Sequence, residues 1–156
     1  MHITLLTMGK TDIGWVADGL GMYSSRLSHY VPFAVRELPE LKGVGAMSPA
    51  QIKAKEGECL LKAVKPSDCV VLLDEHGSEY SSTEFAARLQ KRLSAGRDLV
   101  FVVGGAYGFS PAVYERADAK LSLSRMTCSH QLVRTVFAEQ LYRAFTILRG
   151  EPYHNE

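Results

Sequence analysis

Three cysteines, one tryptophan and a net charge of only +1 are the scarcities of this 156-residue sequence. Cys59, Cys69 and Cys128 are odd in number, widely spaced and contain no CxxC. That excludes a disulfide framework and points to a reducing, cytoplasmic setting. His2, His29, His76 and His154 are scattered singly, and nothing complements Cys128 and His130 as a second ligand pair, so no metal centre is expected. No apolar run approaches the roughly 18 residues of a membrane span. The opening "MHITLLTMGK" has neither a basic lead nor a small-residue cleavage site, and reads as a strand rather than a signal peptide. With charge so nearly balanced, a nucleic-acid partner has to be held by a local patch.

What is present alternates between strands and helices. Strands are expected at Ile3–Met8, Phe33–Leu38, 69–74, Leu99–Val103 and, more weakly, 120–123. "CVVLLD" and "LVFVV" are apolar nearly throughout, the pattern of strands covered on both faces. Val16, Leu20, Tyr23, Leu27 and Tyr30 form a helical stripe, weakened by Gly19 and Gly21. "SPAQ" at 48–51 and "SSTE" at 81–84 are capping boxes, and Ser110-Pro111 opens another helix. The last helix, 130–149, buries Val133, Val136, Phe137, Leu141, Ala144, Phe145 and Leu148, pairs Glu139 with Arg143 at i, i+4, and stops at Gly150 and Pro152. Residues 1–156 therefore read as one α/β domain, a mostly parallel sheet flanked by helices.

Three stretches carry candidate chemistry. "MGKT" follows a strand but lacks the first glycine of a phosphate loop, since position 4 is Thr4, so it reads as a strand-end turn. "VVGGAYGFSP" runs a buried strand into Gly104, Gly105 and Gly108, where backbone can turn sharply and a ligand can approach; a plain βα turn is the competing reading. "LSRMTCSHQLVR" at 123–134 gathers a thiol, a hydroxyl, an imidazole and a guanidinium. Cys128 with His130 could be a nucleophile and its base. The alternative is a strand-end loop presenting backbone groups beside a helix N-terminus. After position 118 a mild basic excess (Lys120, Arg125, Arg134, Arg143, Arg149) could suit phosphates.

Several motifs in one order span the whole chain: "LDxxG" at 73–77, "GGxxG" at 104–108, "SxxTxxHxxxR" at 124–134, "EQxYRA" at 139–144 and "PYH" at 152–154, with "KEGE" at 55–58. Together they resemble the ribosomal RNA large subunit methyltransferase H family, small SPOUT-class methyltransferases. The resemblance implies a C-terminal trefoil knot, which the general rule against knots would have excluded. It implies S-adenosylmethionine held by Leu73, by Gly104 and Gly105, and by the segment Ser124, Arg125, Met126, Thr127, Cys128 and Ser129. It implies a homodimer whose final helices pack together, and methylation at N3 of a pseudouridine in 23S ribosomal RNA, on the assembled ribosome. His130, Glu139 and His154 are then candidates for managing the N3 proton, Arg134 and Arg143 for holding phosphate or developing charge, and Tyr153 for positioning the nucleotide. A tail on the last helix could reach a partner's cofactor pocket. The competing class is a knotted module that holds RNA without turnover.

The chain departs from the family pattern where a bulky apolar residue and a proline usually precede the histidine; here Cys128 and Ser129 stand there. Loss of that proline frees φ and restores an N–H, so the rigidity of the loop is what changes. Ala106 and Tyr107 also differ.

Overall fold

The computed structural model describes residues 1–155. Five strands form one sheet: β1 (Ile3–Met8), β2 (Phe33–Leu38), β3 (Cys69–Glu79), β4 (Leu99–Val103) and β5 (Ala119–Ser122). The order across the sheet is β2-β1-β4-β3-β5, and every pairing is parallel. Parallel neighbours need crossovers, and the helices α1 (Gly14–Leu27), α2 (Pro49–Ala63), α3 (Ser82–Ser94), α4 (Pro111–Arg116) and α5 (Leu132–Leu148) lie along them. A short 3₁₀ turn, Val44–Ala46, interrupts the long connection before α2.

Two apolar layers result. On one face Leu5, Val71 and Phe101 meet α1, α3 and α5, with Phe101 against Phe137 at 4.6 Å between ring centres. On the other, Leu6, Leu72 and Val102 meet Leu60 of α2 and Val113 of α4. β4 lies at the centre and is buried along its whole length, which is why its sequence is uninterruptedly apolar. Both capping boxes form: Ser48 and Gln51 close the start of α2, and Ser81 and Glu84 the start of α3. Gly19, a weak point for an isolated helix, is where α1 takes the side chain of Thr135; a Cβ there would lie 2.9 Å from its methyl group.

Four elements differ in their bounds from the sequence expectation, the least of them β5, at Ala119–Ser122 rather than 120–123. β3 runs past residue 74 to Glu79 after a break in register, with Leu73 and Ser78 both opposite Leu121. Between them residues 74–77 loop out, and Gly77 packs so closely on the backbone of Lys120 that a Cβ would lie 2.6 Å from it. α5 starts at Leu132 rather than residue 130, because the preceding turn is irregular. α1 ends at Leu27, with Tyr30 just beyond it. Among the described residues, no helix is long and apolar enough to cross a membrane.

Candidate functional site

Because β4, β3 and β5 are neighbours, the loops that follow them meet at one edge although they lie far apart in sequence. They enclose a cavity of about 730 Å³. That lies within the roughly 300–1,000 Å³ usual for small-molecule sites. Residues 73–76 form one wall, 104–108 another, and the segment leading from β5 into α5 a third. Leu73, Gly104, Gly105, Ser124, Met126, Thr127, Cys128, Ser129 and His130 all line it. Arg125 does not: its side chain is 87% exposed and turns out to Glu79, 3.4 Å away. Sequence reasoning missed Lys53, Tyr114, Val133 and Val136, which also line the cavity.

The glycine loop is shaped by what surrounds it. A Cβ on Gly104 would touch the Phe109 ring at 3.0 Å, and Gly108 has φ +82°, closing a turn through its N–H to the Gly105 carbonyl (3.1 Å). The third wall presents backbone more than side chains. Ser124 Oγ accepts the Met126 N–H (2.9 Å), while the Met126 side chain is 84% exposed. Ser129 Oγ accepts the Leu132 N–H (3.1 Å) and its carbonyl accepts that of Val133 (3.1 Å). Ser129 thus caps the turn into α5, stiffening by hydrogen bonds what a proline would stiffen by its ring. Cys128 is exposed and makes no hydrogen bond with His130 in the described residues. Tyr114 donates a short hydrogen bond to Asp74, and burial together with that contact pushes its hydroxyl up to about 12.

Arg134 differs from its expected role. Its side chain is wholly buried rather than facing a substrate. Nε donates to the His130 carbonyl (2.9 Å), Nη1 to the Gly9 carbonyl (3.0 Å) and Thr11 Oγ1 (2.9 Å), and Nη2 to the Met8 carbonyl (3.0 Å). Burial lowers its pKa, opposed by Glu37 (3.5 Å from Nη1), Asp12 and Glu40, and a guanidinium stays charged under that balance. It ties the end of β1 to the start of α5. Gln131 adds to the tie, accepting the Asp12 N–H (3.0 Å) and donating to the Lys10 carbonyl (2.9 Å). The "MGKT" turn is therefore a structural anchor for the histidine's helix.

The remaining four residues gather elsewhere, on the outer side of α5. Glu139 Oε1 accepts from Arg143 Nη2 (2.5 Å) and from the Tyr153 hydroxyl (3.0 Å), and Oε2 from Gln140 (3.0 Å). Arg143 also donates to His154 Nδ1 (3.1 Å), so a neutral imidazole there carries its proton on Nε2, and its guanidinium lies over the Tyr153 ring at 4.8 Å. The hydrogen bond to Glu139 raises the Arg143 pKa, and burial with hydrogen bonds to Tyr23 and Glu139 raises that of Tyr153. The chain turns back through Gly150 (φ +67°) and is pinned by Tyr30 donating to Glu151 (2.6 Å). None of Glu139, Arg143, Tyr153 and His154 lines the cavity. Arg143 lies two helical turns past Val136, about 10 Å along the axis.

The basic excess near the C-terminus is absorbed in the same way. Arg143 and Arg125 face carboxylates, while Arg149 and Lys120 lie over the rings of Tyr30 and Tyr114. Among the described residues no group of three His, Cys, Asp or Glu side chains could hold a metal ion.

The chain is similar to known proteins over its whole length. The family model described as "Predicted SPOUT methyltransferase" matches residues 1–154. The ribosomal RNA large subunit methyltransferase H of Parabacteroides distasonis is 52% identical, with the whole of both chains covered. Those of Porphyromonas gingivalis and Bacteroides fragilis are 53% and 47% identical, again over both full lengths. A solved SpoU methyltransferase, AviRb from Streptomyces viridochromogenes in complex with the cofactor AdoMet, aligns at TM-score 0.46 and 14% identity, covering 90% of this chain and 56% of that one. From the full-length match and the identities, the chain belongs to the SPOUT methyltransferases and, among them, to the ribosomal RNA large subunit methyltransferase H family.

Proposed function

We propose that the protein methylates large-subunit ribosomal RNA with S-adenosylmethionine, at N3 of a pseudouridine, as a homodimer acting on the assembled ribosome. Family membership supports the reaction class, and the cavity at the ends of β3, β4 and β5 is the observation that carries the site. Its lining suits the cofactor. Leu73, Val103, Leu123, Val133 and Val136 offer apolar walls for an adenosyl group, the backbone of 104–108 and 124–129 offers N–H and C=O groups, and Asp74 and Glu75 offer negative charge to a cation. When bound, the cofactor supplies an already activated methyl group.

The protein's own task is alignment and one proton. Attack requires the acceptor nitrogen within roughly 3–3.5 Å of the methyl carbon. His130, at the cavity rim and fixed from below by Arg134 and Gln131, is the group beside that acceptor. Glu139, engaged by Arg143, Tyr153 and Gln140, is an anchor rather than a free base. It holds Tyr153 to orient the nucleotide and Arg143 to stabilise negative charge on the ring; His154, whose neutral form carries its proton on Nε2, can donate a hydrogen bond to the ring, and the N3 proton passes to the imidazole of His130.

The cavity and the tail cluster are separated along α5 within one chain, which supports a composite site: the cluster of one subunit serves the cavity of its partner. None of the side chains of α5 is fully exposed although the helix lies on an outer layer, and Val133, Val136 and Ile147 are only half-buried, the character of a face that meets another copy. Residues 1–156 act in this reading as one domain per subunit. The knot implied by family accords with an all-parallel β4-β3-β5 core whose last helix lies against α1 and α3.

Mass spectrometry of ribosomal RNA after incubation of ribosomes with protein and cofactor tests the reaction: one methyl group on a pseudouridine base is expected, and unmodified RNA overturns it. For the composite site, a chain truncated after Gly150 is mixed with a His130→Ala chain. Each alone is expected to be inactive and the mixture partly active; no recovery refutes sharing.

A further inference from the structure

Glu56 is a half-buried carboxylate that the site described above leaves unused. It lies on α2 within the "KEGE" stretch, and its head group sits directly against the glycine loop: a Cβ on Gly105 would come to 2.5 Å from each carboxylate oxygen. Oε1 is shut off from solvent and has no hydrogen-bond partner among the described residues. Burial alone pushes this carboxyl above the usual carboxylate range, as expected for a charge left without a donor. The position is not an accident of a loose helix. The next residue, Gly57, docks α2 on α4 so tightly that a Cβ would lie 2.4 Å from Ser110 Oγ, the group that caps α4. Lys53, one turn earlier, lines the cavity and makes no ion pair with Glu56.

Amide donors without a protein acceptor lie in the same loop, one and two residues beyond Gly105. In the turn from Gly105 to Gly108 only the Gly108 amide is engaged, with the Gly105 carbonyl; those of Ala106 and Tyr107 donate to no group of the described residues. A buried acceptor without a donor is unfavourable, and a movement of this exposed turn that brought one of its amides to the carboxylate would satisfy it.

We propose that Glu56 is a positioning residue for methyl transfer: its carboxylate takes up loop amides when the cavity is filled, and so holds 104–108 over the ligand. The inference rests on the cavity binding S-adenosylmethionine. Without ligand the carboxylate is a liability; with ligand it is a support. That predicts effects of opposite sign, which a merely structural residue would not produce.

The test uses full-length protein with Glu56→Ala and Glu56→Gln. Calorimetry with S-adenosylmethionine is expected to show affinity about tenfold weaker in Glu56→Ala, the size of one lost hydrogen bond to a charged acceptor. The melting temperature without ligand should be unchanged or higher, and kcat at saturating cofactor should stay within about threefold while KM rises. Glu56→Gln, which keeps an acceptor oxygen, should recover most of the affinity. Hydrogen exchange of the Ala106 and Tyr107 amides should slow on ligand addition in the wild type and not in Glu56→Ala. Equal affinity in the alanine variant overturns the inference, and so does a joint fall of affinity and melting temperature without rescue by glutamine. Wild-type protein that takes up no S-adenosylmethionine overturns the cofactor reading and this inference together.

Discussion

The cavity and the tail cluster are built on opposite principles, although α5 connects them. Around the cavity the shape comes from backbone: glycines close to Phe109 and Glu56, a serine capping a turn, and side chains such as Met126 and Arg125 that are largely exposed to solvent. In the tail cluster the side chains are the structure, with Glu139, Arg143, Tyr153 and His154 bonded to one another in one network. A backbone-built site tolerates changes of side chain that keep its path, and a network of charged hydrogen bonds does not. That difference accounts for Cys128 and Ser129 standing where relatives are expected to have an apolar residue and proline: the loop needs a path, and Ser129 supplies it by capping.

The contrast can be broken most forcefully at Arg134, a wholly buried charged side chain beneath the segment that leads into α5. Arg134→Met removes donors from three backbone carbonyls and Thr11, and is expected to cost about 3 kcal/mol or more. In thermal melting that corresponds to a fall of about 6–12 °C for a chain of this size. A change within 2 °C would show that the guanidinium is dispensable. Next in size, Tyr153→Phe removes one acceptor contact of Glu139 from an otherwise intact cluster. Methylation is expected to drop by about 10²-fold, the scale of a misplaced substrate, while cofactor affinity by calorimetry holds. Loss of cofactor affinity instead would contradict the separation of the two regions.

A pH series sharpens the cavity side. The folded-state pKa of Tyr114 is raised to about 12 from an ordinary 10.0, so its contribution is fully present below pH 10 and is lost as pH rises towards 12. The decline in melting temperature between pH 10 and 12 should therefore be shallower in Tyr114→Phe than in the wild type; parallel declines would rule out that contribution. The smallest effects are expected at Cys128→Ser and Arg125→Ala. The thiol is exposed, and the exposed pair of Arg125 with Glu79 is worth at most about 1 kcal/mol. Methyl transfer assayed side by side with the wild type should agree within about twofold for both. A large loss in Cys128→Ser would return the cysteine to the chemistry.

Much of this was legible in the residues. The central strand is apolar throughout because both of its faces are covered, and the capping boxes at Ser48 and Ser81 mark helix starts that form as written. The loop that would line a ligand site was visible in its glycines. The role of Arg134 was not, because an arginine at a helix start looks the same in sequence whether it faces water or the carbonyls of Met8 and Gly9 at the end of β1. Nor was the division of the expected site. Glu139, Arg143, Tyr153 and His154 are near one another in sequence and remain so in space, but their distance from the loops depends on how α5 leaves the sheet.

By itself, then, the order of residues determined what is local: strand periodicity, helix caps, the glycine turn at 104–108, and the i, i+4 pair of Glu139 with Arg143. These depend on interactions a few residues apart, so short patterns encode them. The tertiary structure decided which loops share a cavity, through the order β4-β3-β5; which arginine is buried, through the docking of α5 on β1; and why Glu56 faces Gly105, through the fit of Gly57 on Ser110. Those depend on contacts between segments remote in the chain, where the space left by one element sets what the other can be.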